Sequence, residues 1–188
     1  MEPRLRGHGL RLRLFRPSDA ELLYEAVSGS IPEISPWLPW CHADYSIEDS
    51  RTWLDQQPEL VRNKEAFPFA IFSDQDPDET RLLGGCGLAG FDKAHSLCNL
   101  GYWVRSQEAG QGIATKATLL CAGYALDELK VARVEIVVQV GNTASLRVAQ
   151  KVGALEEGVL RNRIRHHGQD LDAVMFSLVP GDMRAEDR

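Results

Sequence analysis

Between Leu97 and Val140 the chain reads as strand, glycine-bearing turn, long helix and strand, and this order constrains the fold more than any other feature. Residues 97–104 (LCNLGYWV) put Cys98, Leu100, Tyr102 and Val104 on one face, the alternation of a half-buried strand. From about 112 to 129, Ile113, Ala117, Leu120 and Tyr124 recur at spacings of four, three and four, which is one face of a helix. Residues 133–140 (RVEIVVQV) are rich in β-branched side chains and read as a central strand, expected beside 97–104. A short helix near 143–152 and strands near 154–160 and 171–178 complete the chain.

The N-terminal half has a different rhythm. Leu10, Leu12 and Leu14 alternate with Arg11 and Arg13, giving a strand over 10–15. Ser18 and Asp19 suit the cap of a helix whose Leu22, Leu23, Ala26 and Val27 share a face. Pro32, Pro36 and Pro39 predict irregular chain in IPEISPWLPW, anchored by Ile34, Trp37 and Trp40. Ser46 and Asp49 resemble the N-terminal cap of a second helix, with Trp53, Leu54, Leu60 and Val61 turned inward and a kink or break at Pro58. Strands are expected at 67–72 and 82–88, around the polar loop DQDPDET. The fold class is α/β: a single domain over 1–188, core about 10–178, with one mixed, mostly antiparallel twisted sheet of six to seven strands and helices on both faces.

Composition narrows the partners. With 188 residues, the chain is long enough for one real core and short for two. A net charge of −6 repels nucleic acid and anionic membranes and favours a cationic ligand. Cys41, Cys86, Cys98 and Cys121 show no pairing pattern, which suits a reducing cytosol. The N-terminal MEPRLRGHGLRLRLF lacks the apolar core of a signal peptide, and no apolar run approaches the ~20 residues of a membrane span. A soluble cytoplasmic protein is expected. His8, His42 and His95 have no metal-ligand spacing, so no metal is expected, and no Gly-x-Ser-x-Gly or Cys–His pattern suggests a hydrolase.

The chemistry concentrates in YWVRSQEAGQGIATKAT, residues 102–118. Gly110 and Gly112 permit positive φ and close approach of a ligand to the backbone. The helix that follows opens with amides lacking intrahelical partners, a natural seat for a pyrophosphate. GxxxxGK[ST] is absent, and Lys116 is not placed like its lysine, which disfavours ATP hydrolysis. Beyond strand 133–140, Asn142 and Ser145 stand three apart at a helix start, near the strand ends where α/β sheets bind ligands. Two readings are open for Asn142, a helix cap or a ligand contact, and the two are compatible.

These motifs resemble the GNAT superfamily of acyl-CoA N-acyltransferases, over roughly Leu10 to Leu178. The family pattern Gln/Arg-x-x-Gly-x-Gly/Ala aligns with Ala109-Gly110-Gln111-Gly112-Ile113-Ala114, leaving Ala109 where the family has Gln or Arg. NTASLRVAQKVGALEEG, residues 142–158, resembles the family's second motif, and WLPW with SIEDSRTWLDQ resembles the RimJ/RimL-like branch that acetylates ribosomal N-termini. The resemblance implies an N-acetyltransferase using acetyl-CoA. Its pantetheine would lie along Tyr102, Trp103 and Val104, and its diphosphate on Ala109, Gly110, Gln111, Gly112, Ile113, Ala114 and Thr115. Asn142 and Ser145 would approach the pantetheine and thioester sulfur.

For catalysis the resemblance implies an oxyanion donor around Trp103 or Val104, Ser145 beside the leaving sulfur, and Glu157 as base. Each has a plainer alternative: Ser145 as a helix-start residue, and Glu156 and Glu157 as solvated strand-end charges. Trp37, Trp40 and Trp53 either line an acceptor groove or anchor the proline-rich loop. Arg161, Arg163, Arg165, His166 and His167 precede an expected hairpin turn, as a solvated face or a contact for acidic partners. The leading acceptor is a protein N-terminal α-amine. The alternatives are a small amine (polyamine, aminoglycoside or amino acid) and a non-catalytic acyl-CoA-binding module. Monomer and homodimer are both open.

Overall fold

The chain opens with a hairpin, β1 (Arg4–Gly7) and β2 (Leu10–Leu14), turning through His8 and Gly9 with φ of 55° and 77°. α1 (Ala20–Ser28), α2 (Ile31–Ile34) and α3 (Ile47–Arg62) follow, then the antiparallel strands β3 (Ala66–Ser73), β4 (Gly84–Asp92) and β5 (Leu97–Val104). The second half runs α4 (Ile113–Gly123), a π-helical turn at Tyr124–Glu128, β6 (Arg133–Gln139), α5 (Thr143–Lys151), β7 (Leu155–His166) and β8 (Gln169–Leu178). This computed structural model describes residues 2–183.

All eight strands form one sheet in the order β1-β2-β3-β4-β5-β6-β8-β7, and every pairing except β5 with β6 is antiparallel. The mixed α/β architecture matches the sequence expectation, with β1 as the additional strand. Four residues, two of them arginine, carry too little alternation to register alone. β1 forms because β2 offers it an edge, from Arg4↔Arg13 to Gly7↔Leu10.

The sheet separates two cores. On one face Leu12, Phe69, Leu88, Leu100 and Ile136 pack against Ala117, Cys121 and Ala125 of α4 and its π turn. On the other, Ala70, Phe72 and Leu82 meet Leu23, Val27 and Leu54 of α1 and α3. Each such fully buried Leu or Phe side chain stabilises by roughly 1.5–3 kcal/mol. Arg13 points oppositely to Leu12 and Leu14. Its guanidinium is paired at 2.7 and 2.9 Å with Asp19 below α1 and lies 4.8 Å from the Phe72 ring centre. Buried charges persist there because both ends are bonded.

Three local expectations are corrected. Pro32 does not exclude structure: it sits in the first turn of the short helix α2, where no amide donor is needed. α3 is not broken at Pro58, the second of the two outcomes expected there: it continues for 16 residues, capped reciprocally by Ser46 and Asp49 as expected. Trp53 is not turned into the core: it is 38% exposed and meets Phe15 edge-on at 5.2 Å.

Candidate active site

The site is a fork between two strands. β5 and β6 pair over only three positions, Leu97↔Arg133, Cys98↔Val134 and Asn99↔Glu135. Beyond them β5 stays with β4 as far as Gly84↔Val104, while β6 stays with β8 as far as Gln139↔Ala173. Each strand follows its antiparallel neighbour, so the facing edges separate. The Arg105 amide donates to the Leu83 carbonyl. Alternation along an antiparallel pair then sends the Trp103 amide toward β4 and the Tyr102 and Val104 amides into the fork. Of the two oxyanion donors expected, Val104 aims its amide into the fork and Trp103 aims its amide at β4.

The loop after β5 is pinned from outside. Arg105, itself buried, pairs with Glu25 at 2.9 Å. The Ser106 amide donates to Ser30 Oγ at 3.0 Å, and the Ser106 hydroxyl donates to Glu33 at 2.7 Å. Glu108 accepts from Arg81 and from Gln111 Nε2. Gly110 and Gly112 follow with φ of 81° and 76°, the left-handed region that favours glycine. Among the described residues, no protein acceptor takes the amides of Gly110 through Thr115; Lys116 makes the first helical bond, to Gly112. The first turn of α4 carries no acidic residue. Six amide donors with the helix's partial positive charge are therefore available there, which is what a diphosphate requires.

The left-handed glycines also correct the motif frame. Positive φ occurs at Gly110 and Gly112, whereas Ala114 lies within α4. The family pattern thus fits Gln107-Glu108-Ala109-Gly110-Gln111-Gly112, with glutamine in its first position. The departure ascribed to Ala109 disappears.

Across the fork, Asn142 caps α5, its Oδ1 accepting from the Ser145 amide at 3.1 Å. The Tyr102 hydroxyl donates to the Ser145 carbonyl at 3.1 Å and lies 3.0 Å from Ser145 Oγ. Burial pushes the Tyr102 phenol up to about 12, with the Ser145 bond opposing. Sequence reasoning placed Tyr102 on the buried face of its strand and beside the pantetheine, without a role for its hydroxyl. Nothing local signals that its side chain spans the fork.

Glu157 is not brought to this cluster. It lies at a bulge of β7, held by Arg133 at 2.6 and 2.5 Å and by the Ser177 hydroxyl at 2.8 Å. The Arg133 bonds hold its carboxyl down at about 2. Arg133 begins β6, whereas Ser145 lies in the first turn of α5, beyond the far end of that strand. In this structure Glu157 is therefore engaged as the ion-pair partner of Arg133.

On the α3 side of the sheet, beside Trp103, is a cavity of about 390 Å³. Asp49, Thr52, Trp53 and Gln56 reach it from one face of α3, and Trp40 from the proline-rich loop. Trp40 and Trp53 therefore line a groove, as one of their two readings held. Among the described residues no helix is long and apolar enough to cross a membrane.

Comparison with known proteins places this geometry. The model of the GNAT acetyltransferase domain matches residues 9–155. YdaF of Bacillus subtilis (strain 168), provisionally named a ribosomal N-acetyltransferase, is 30% identical over 183 residues, 94% of each chain. A structure from Vibrio cholerae, provisionally described as a ribosomal-protein-serine acetyltransferase, superposes with a TM-score of 0.83 at 25% identity, over 96% of this chain and all of that one. RimL, the ribosomal L7/L12 α-N-protein acetyltransferase, solved with coenzyme A, shares the fold with a TM-score of 0.84 at 20% identity, over 94% and 98% of the two chains. With its forked sheet, left-handed glycine turn and matching domain, the chain belongs to the GNAT family of N-acetyltransferases, and its fold is that of the RimJ- and RimL-like members.

Proposed function

We propose that the enzyme uses acetyl-CoA and transfers the acetyl group directly to a protein N-terminal α-amine in a ternary complex. One observation carries the reading: among the described residues the amides of Gly110–Thr115 have no acceptor, and they lie together at a helix start. They suit the cofactor's diphosphate, the free edge of Tyr102 and Val104 suits its pantetheine, and Asn142 and Ser145 flank the far side of the fork. Bound acetyl-CoA would supply an acyl group activated as a thioester.

The chain's own groups divide the remaining work. The Val104 amide faces the fork and suits the negative charge that develops on an acyl oxygen. The paired hydroxyls of Ser145 and Tyr102 can donate a proton to a departing thiolate, since a phenol at about 12 stays protonated at neutral pH. No carboxylate need abstract the amine's proton. An α-amine, with a pKa near 7.7–8.0, is deprotonated at pH 7 for only ~1 kcal/mol, whereas a lysine side chain near 10.4 costs ~4.6 kcal/mol. This difference, together with the name carried by YdaF, favours α-amines.

Calorimetry with acetyl-CoA is the direct test, followed by CoA release with a panel of amines. Binding, with release driven by peptides bearing free N-termini, is expected. Absence of binding at millimolar acetyl-CoA would discard the reading, and turnover only with small amines would discard the acceptor class.

A further inference from the structure

The cavity beside Trp103 has a lining that discriminates among amines. Its floor is bare backbone: Gly87 and Gly101 are direct partners across β4 and β5 and put no side chain on the α3 face. A Cβ at Gly101 would meet nothing within 4 Å, so the space above it is open. Its walls are aromatic, with Phe15 meeting Trp53 at 5.2 Å and Trp40 meeting Trp103 at 6.1 Å, both edge-on. Asp49 is the only carboxylate in the lining, which contains no lysine or arginine.

Asp49 is half-engaged. Its Oδ2 accepts from the Ser46 amide and hydroxyl at 2.8 Å each, with His42 Nε2 at 3.8 Å on the same side. Its Oδ1 has no bonded partner among the described residues. Its pKa is lowered, by the Ser46 hydroxyl first and the Ser46 amide second, so it is a standing negative charge and a weak base.

Resting on the transferase reading, we propose that this cavity selects the acceptor's first residue: Asp49 draws in the α-amine as its ammonium form, the proton passes to solvent before the neutral amine attacks, and the aromatic walls receive a bulky apolar side chain beside it. The preferred acceptor is a peptide or amide with a large apolar N-terminal residue. A polyamine or aminoglycoside brings several positive charges to a lining with one counter-charge. A free amino acid brings a carboxylate that finds no cation and is repelled by Asp49. Aromatic faces add apolar area and attract the ammonium as well. At the lower end of the roughly 300–1,000 Å³ range of ligand sites, the cavity has room for one residue and its amide.

The test uses the full chain with acetyl-CoA and five acceptors: phenylalaninyl- and alaninyl-peptides of otherwise equal sequence, phenylalaninamide, phenylalanine and spermidine. The phenylalaninyl-peptide should exceed the alaninyl-peptide in kcat/KM by at least about tenfold, with phenylalaninamide turned over and phenylalanine and spermidine near background. Gly101→Val should erase the preference by lowering only the phenylalaninyl value. Asp49→Asn, which keeps an oxygen for the Ser46 amide, should raise the acceptor KM about fivefold at low salt and narrow the gap between phenylalaninamide and phenylalanine. Spermidine or phenylalanine as the best acceptor, or a KM untouched by Asp49→Asn, would overturn the proposal. Calorimetry on the same preparations separates the failures: intact acetyl-CoA binding with the wrong acceptor order sinks the pocket alone, and absent binding sinks the transferase reading with it.

Discussion

Tyr102 and Glu157 differ in how their surroundings treat a proton, and that difference sorts their roles. The Tyr102 phenol is desolvated and bonded to Ser145, so its proton is retained until about pH 12. Tyr102→Phe keeps the ring and removes only the donor; kcat is expected to fall about a hundredfold with little change in acetyl-CoA affinity. The wild-type rate should rise through the amine's pKa and show no falling limb below about pH 11 that Tyr102 would cause. A falling limb near neutrality that vanishes in Tyr102→Phe would contradict this. Glu157 is the opposite case. Its folded-state pKa of about 2 lies below the unperturbed 4.5, so its contribution is present above pH 4.5 and is lost as pH falls from there toward 2. Because the side chain is 34% exposed, that contribution is discounted to about 1 kcal/mol. Glu157→Gln should therefore lower stability by about that amount at pH 7, converge with the wild type near pH 2, and leave turnover unchanged. A tenfold loss of turnover at unchanged cofactor affinity would instead identify Glu157 as the base.

At the scale of elements, what could be read from the sequence was whatever depends on local periodicity. The β5–turn–α4 succession, the capped start of α3 and the apolar strand β6 all follow from residues within one turn or one pleat. What could not be read depends on partners distant in sequence. β1 exists through β2, the fork exists because β5 and β6 each follow a different antiparallel neighbour, and the Tyr102–Ser145 bond spans 43 residues. The misjudged inward turn of Trp53 has the same origin: apolar character says nothing about which surface a side chain meets. The α4 start was legible because its demand is local. Gly112 is the N-cap with φ of 76° and no side-chain cap bond. Gly112→Ala adds a Cβ that meets only the flexible Lys116 end at 3.9 Å, so the cost is backbone strain of about 1–2 kcal/mol. Thermal unfolding should report that loss. Calorimetry should show acetyl-CoA binding weakened beyond it, since relaxation of the turn re-aims the amides. Weakened stability with unchanged cofactor affinity would separate the turn from diphosphate binding.

Across the whole molecule, the proposed cofactor fork and acceptor cavity meet at one strand, β5. Tyr102 points to the α4 and α5 side, where the amide cradle and Ser145 lie, and Trp103 points to the α3 side with the aromatic cavity. Adjacent residues of one strand would thus serve both proposed substrates. Two chambers meeting at one strand allow both substrates to be held at once, which direct transfer requires. A two-step route would need an accessible nucleophile to carry the acetyl group. Cys41, Cys98 and Cys121 are buried, and burial raises their thiols, Cys98 to about 12, so none is a thiolate at neutral pH. Cys86 is the only cysteine in the cavity lining, and it is 3% exposed beneath the partner position of Tyr102. Double-reciprocal plots against acetyl-CoA at several acceptor concentrations should therefore intersect. Cys86→Ala should keep turnover within about threefold while losing up to ~2 kcal/mol of stability from the vacated core. Parallel lines, together with abolition of turnover in Cys86→Ala and acetyl trapped on Cys86 by mass spectrometry of the wild type, would replace direct transfer with an acyl-enzyme. The proposed meeting of fork and cavity at β5 would then lose its kinetic meaning.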